Sequence, residues 1–96
     1  MSPIRKKKLE VIRKKLDKLD DSLLSIIKKR TQLVNEVVKL KKFKKEIVDK
    51  KRIRIILAKI RKKSVQKNID PNITSRIWKN MIWSYINYER KNFNKK

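Results

Sequence analysis

The sequence predicts an all-α protein of three helices, the first of them very long. Three observations carry this expectation. Among 96 residues there is no glycine, and proline occurs only twice, at Pro3 and Pro71, so little interrupts helical backbone. Apolar residues recur at steps of three and four, the helical period. Charged residues make up 42% of the chain and fill the positions between, as the solvated faces of amphipathic helices require.

The first helix is read over residues 6–42. Leu9, Ile12, Leu16, Leu19, Leu23 and Ile26, then Leu33, Val37 and Leu40, trace one seam with heptad spacing. The series skips one member, and that position holds Arg30. At about 1.5 Å per residue the helix is roughly 55 Å long. A compact chain of this size is only about 32 Å across. The seam therefore needs a partner, and a second copy of the chain is the simplest one.

Residues 43–48 read as a connection, and Asp49 stands where an N-cap belongs. The second helix is expected over 49–66, with Ile53, Ile56, Leu57 and Ile60 as its apolar stripe. Asn68-Ile69-Asp70-Pro71 is the clearest boundary, because Asp70 suits an N-cap and Pro71 the first helical position. The third helix is expected over 71–91, with Ile77, Trp78, Met81, Ile82 and Tyr85 inward. The polar tail, residues 92–96, is expected to fray. The whole, 1–96, reads as one domain.

Composition excludes several chemistries. Cysteine and histidine are absent, so disulfides, thiol catalysis, Cys/His zinc sites and an imidazole base are ruled out. Without glycine there is no Gly-rich phosphate loop. No apolar run reaches membrane-spanning length, and Met1 to Leu9 lack the apolar stretch of a secretory signal. A cytoplasmic chain without metal or cofactor is expected. Lys and Arg number 31 against 9 Asp and Glu, a formal charge of +22. Such a charge fits a nucleic-acid partner. It also fits the Lys-, Ile- and Asn-rich bias of an AT-rich genome, and its spread along the whole chain leans that way.

Functional candidates are polar residues that interrupt an apolar face. Arg30 lies in the seam, where a guanidinium needs an anion, a salt-bridge partner or a register-setting role. Lys41 is eleven residues on and shares its helical face. Arg13 flanks the same seam about 25 Å from Arg30 along the axis, so one small ligand meets both only across two antiparallel chains. Asp49 and Arg52 share the first turn of the second helix, as a cap with a local ion pair or as ligand contacts. Glu89 extends the Trp78–Met81–Tyr85 stripe, either paired with a cation or facing a site. Together these residues bring several cations and one or two acids onto apolar surface. No Ser/His/Asp set, catalytic carboxylate pair or metal cluster accompanies them. That pattern suits binding of a small polyanion and electrostatic stabilisation of developing negative charge.

The order of these pieces resembles a known family. Arg13 to Asp21 (RKKLDKLDD), Lys29-Arg30, Glu36 to Lys41 (EVVKLK) and Asp49 to Arg52 (DKKR) are similar to the all-helical class of chorismate mutase, over about residues 9–90. The resemblance implies an intertwined homodimer of three-helix subunits, and rearrangement of chorismate to prephenate in aromatic amino-acid synthesis without cofactor. It implies that Arg13 reaches a substrate carboxylate across the dimer and that Arg30 binds the dianion from its own chain. Lys41 then holds a carboxylate and the ether oxygen, Asp49 meets the ring hydroxyl, and Arg52 completes the cationic wall. Glu89 takes the place of a Gln or Glu that donates to the ether oxygen. As a glutamate it donates only when protonated, so faster turnover at acidic pH is expected. Two positions depart from the family: Ile53 stands where glutamate is common, and Tyr85 where a small polar residue is usual.

Two alternatives stay beside this one at the level of sequence. An isochorismate pyruvate lyase shares the fold and the cationic site. A basic helical nucleic-acid-binding dimer would use the lysine faces, with Trp83 or Tyr88 stacking on bases. A purely structural coiled coil leaves Asp49, Arg52 and Glu89 without a role.

Overall fold

The structure, a computed structural model, describes residues 2–93. It contains three α-helices: α1, Pro3–Leu40; α2, Lys50–Gln66; and α3, Pro71–Asn92. A short 3-10 turn, Lys44–Glu46, lies between α1 and α2. No strand occurs among the described residues. Of the tail expected to fray, Asn92 closes α3, and residues 94–96 lie outside the described residues.

α1 begins three residues earlier than the apolar pattern suggests. Ser2 and Pro3 supply the start: the Arg5 amide donates to Ser2 Oγ at 3.3 Å, and Pro3 takes the first helical position, where no amide is needed. α1 ends two residues early, at Leu40. The Lys41 amide splits its bond between the Val37 and Val38 carbonyls, each at 3.2 Å, as closing turns often do. Lys41 thus stands just beyond the helix that was expected to carry it.

The chain forms two compact units, one ending at Leu33 and the other beginning at Val34. No described residue of the first unit is buried. Its apolar seam is open: Leu16 is 53% exposed, Leu19 62% and Leu23 54%.

The second unit has its own small core. Ile47, Ile82 and Ile86 are buried, with Val48, Ile53, Ile56, Leu57 and Phe93 packed around them. The stripe expected on α2 is half-buried along its whole length. On α3 Trp78, Met81, Ile82 and Tyr85 face inward as expected, but the face also takes in Ile86 and leaves out Ile77. Ile86 is buried and Ile77 is exposed, because Ile82, Ile86 and Glu89 share the face that meets the core. Between α2 and α3 the buried polar groups are mutually satisfied. Ser64 Oγ donates to the Ile60 carbonyl at 2.6 Å, which leaves Thr74 to donate to Ser64 Oγ at 2.7 Å.

The turn joining α2 to α3 is a complete Schellman motif. The Ile69 amide bonds the Ser64 carbonyl at 2.9 Å and the Asn68 amide the Val65 carbonyl at 3.2 Å. Asn68 has φ 59°, the left-handed conformation that asparagine tolerates better than most residues. Asp70 then caps α3 by accepting the Asn72 amide at 2.9 Å, with Pro71 following as expected.

Candidate active site

The second unit gathers an ion pair and a cleft. Glu89 lies near the end of α3, one turn after buried Ile86, and the residue is only 7% exposed. Burying a carboxylate is costly unless it is paired and hydrogen-bonded. Lys41 provides the partner, with Nζ 2.8 Å from Glu89 Oε1. The side chains of Lys41 and Glu89 keep 19% and 10% of their exposure. Close by, Tyr88 donates its hydroxyl to Asn35 Oδ1 at 2.8 Å. Tyr85 packs edge-on against the Tyr88 ring at 6.4 Å and is half-buried.

Lys41 also lines a cleft of about 590 Å³, walled by apolar Val37, Leu40 and Val48 and by charged Glu46, Asp49 and Lys50. Asp49 is placed there by the start of α2, where its Oδ1 accepts the Arg52 amide at 3.0 Å. The contact uses the backbone of Arg52, while the residue itself is exposed. Glu46 lines the same opening. Its carboxyl is held below the ordinary value of 4.5, first by the hydrogen bond from the Phe43 amide, which outweighs the upward push of desolvation, and then by the Lys42 amide and the charges of Lys41 and Lys45.

The sequence candidates therefore divide. Lys41 and Glu89 are in direct contact, Lys41 and Asp49 share a cleft, and Tyr85 belongs to the same unit. Arg13 and Arg30 belong to the first unit, Arg13 exposed and Arg30 half-buried. Ile53 packs against the core of the second unit, which accounts for an apolar side chain there. Sequence reasoning passed over Glu46 and the Tyr88–Asn35 bond. A signal for Glu46 existed: it is the only acid in a stretch with five lysines, three residues after Phe43, the spacing of a capping side chain.

An ammonium paired with a carboxyl beside a cleft of mixed apolar and charged lining can bind an anion and steady charge on an oxygen. Comparison with known proteins agrees with that chemistry. The family described as chorismate mutase type II matches residues 12–90. The chain is 36% identical over 76 residues to the chorismate mutase of Methanocaldococcus jannaschii, an alignment spanning 78% of this chain and 77% of that protein. No solved structure matches the chain. With most of its length matched at both levels, this chain belongs to the type II chorismate mutase family.

Proposed function

We propose that this chain converts chorismate to prephenate in a site centred on Lys41 and Glu89. The observation that carries the reading is the contact between these two residues at 2.8 Å beside the cleft. The rearrangement breaks one C–O bond while forming a C–C bond, with no proton gained or lost. The catalyst's task is to hold the substrate in its compact conformer and to offset the charge that grows on the ether oxygen. Lys41 supplies a fixed ammonium for that oxygen and for a carboxylate. Glu89, when protonated, supplies a second donor. Asp49 accepts from the ring hydroxyl, and Arg52 adds positive charge at the rim.

The cationic clamp is completed by Arg30 from the same chain and by Arg13 from a second copy. The exposed α1 seam supports the homodimer, because contiguous apolar surface of this extent marks an interaction face. We place the enzyme in the cytoplasm; no helix of the described residues is long and apolar enough to cross a membrane.

The test is the loss of chorismate absorbance with purified protein, with the product identified as prephenate, alongside sedimentation of the same sample. Prephenate formation by a dimer is the expected result. A folded protein that leaves chorismate unchanged at both pH 5 and pH 7.5 would overturn the assignment.

A further inference from the structure

Seven residues of chain separate Lys41 from Asp49, and one side chain holds their turn in shape. Glu46 Oε2 accepts the Lys42 amide at 2.6 Å and the Phe43 amide at 2.9 Å. These two amides lie directly beyond the end of α1 at Leu40, where the chain has left the helical ladder. The return path is equally defined. The Glu46 amide donates to the Phe43 carbonyl at 3.0 Å, and the Ile47 amide to the Lys44 carbonyl at 3.2 Å. Ile47 is then locked in the core at 3% exposure. The Glu46 carboxylate therefore ties the backbone beside Lys41 to the stretch of turn that leads into buried Ile47.

We propose that Glu46 is a positioning residue for the mutase reaction: its carboxylate sets the angle at which the chain leaves α1, and so aims the Lys41 ammonium at Glu89 and the cleft. The inference rests on the reading of Lys41 as a site residue given above.

Charge argues in the same direction. Lys39, Lys41, Lys42, Lys44 and Lys45 crowd this turn, and Glu46 is its single acid. Without that acid their mutual repulsion opens the turn. Its carboxyl is held below the ordinary carboxylate value by the two amides and by Lys41 and Lys45, so it stays ionised at neutral pH. Glu46 also lines the cleft beside Lys41 and Asp49, which brings the turn it closes to the edge of the substrate space. Displacing a catalytic group by about 1 Å is enough to cost a large factor in rate.

The experiment compares Glu46→Ala, Glu46→Gln and Glu46→Asp with the unaltered protein in kcat, KM and thermal midpoint. Glutamine keeps one acceptor oxygen without the charge, whereas aspartate keeps the charge one methylene short. We expect kcat to fall about tenfold or more in Glu46→Ala, mostly without a rise in KM, because Lys41 acts on the transition state. Glu46→Gln should fall between, and Glu46→Asp should resemble Glu46→Ala. A second readout is a double-mutant cycle between Glu46→Ala and Lys41→Ala in affinity for a transition-state analogue of the reaction, measured by calorimetry. If Glu46 works through Lys41, its loss costs little once Lys41 is gone.

Unchanged kcat in all three variants, or strictly additive effects in the cycle, would overturn the proposal. Lys41→Ala with unimpaired kcat would overturn the site reading itself, a result distinct from either. If Glu46→Ala does not fold, Glu46→Gln carries the same comparison.

Discussion

Lys41 Nζ and Glu89 Oε1 meet at 2.8 Å although 48 positions separate them in the chain. The pair joins the segment just beyond α1 to the last turns of α3. It also has a cost. Each partner gives up water, and the loss is recovered only while both are present.

Removing Lys41 alone should therefore damage more than the chemistry. Lys41→Ala leaves Glu89 uncompensated in a nearly buried position. Breaking a fully buried pair costs about 3–5 kcal/mol, and the solvent still reaching this one lowers the figure to about 2 kcal/mol. Adding Glu89→Gln should return most of that stability without returning turnover. Urea midpoints of the single and double variants, measured beside activity, separate the two effects. Equal midpoints for Lys41→Ala and the unaltered protein would show that the pair contributes nothing to the fold.

Glu89 makes a pH prediction through its chemistry as a donor. A carboxyl donates a hydrogen bond only when protonated, whereas a glutamine amide donates at any pH. If Glu89 acts as that donor, the rate of the unaltered enzyme should fall as pH rises, and Glu89→Gln should flatten the profile. A flat profile before the substitution would remove Glu89 from the donor role.

The two helix caps offer an internal control. Asp49 caps α2 and Asp70 caps α3 by the same kind of bond, but only Asp49 lines the cleft. Replacing either by alanine should cost about 1 kcal/mol of stability. Turnover should drop in Asp49→Ala and persist in Asp70→Ala. Equal activities in the two variants would reduce Asp49 to a cap.

Arg13 and Arg30 test the shared site. Each alanine variant alone should be inactive. Mixed after unfolding and refolding together, random pairing places one intact site in half of the dimers, so about a quarter of normal activity should return. No recovery on mixing would exclude a site built from two chains.

Glu46 should report acid sensitivity in the turn it closes. Its carboxyl is lowered in the folded protein, chiefly by the Phe43 amide, from an ordinary value of 4.5. The stability it contributes is fully present above the ordinary value and is lost as pH falls through the lowered one. The Phe43 and Lys42 amide resonances should shift together in that range below pH 4.5. A titration centred at or above the ordinary value would deny that the carboxylate is held there.

Much of this architecture could be read from residue spacing, and the exceptions have physical causes. The seam of α1, the stripe of α2 and the Asp70–Pro71 start of α3 follow from period and cap chemistry, which are local. The early start of α1 was missed because its signal is the Ser2–Pro3 pair, not an apolar residue. Ile86 was missed because α3 carries apolar residues on several faces, and only packing against Ile47 chooses among them. In the site, polar residues out of place on apolar faces singled out Lys41 and Glu89, yet their pairing across 48 positions is tertiary information that no spacing contains. Spacing alone places Lys41 in the first helix, and its position just outside that helix depends on where the ladder ends.

The left-handed Asn68 has a consequence for the order of assembly. The turn it closes joins α2 to α3 within a few residues, so the contacts of this hairpin are local and fast to form, on the microsecond scale of helix and loop events. Ile82 and Ile86 can find the α2 stripe before the α1 seam has met anything. If a second copy of the chain covers that seam, as proposed above, that encounter has a rate that rises with protein concentration, while the formation of the hairpin does not.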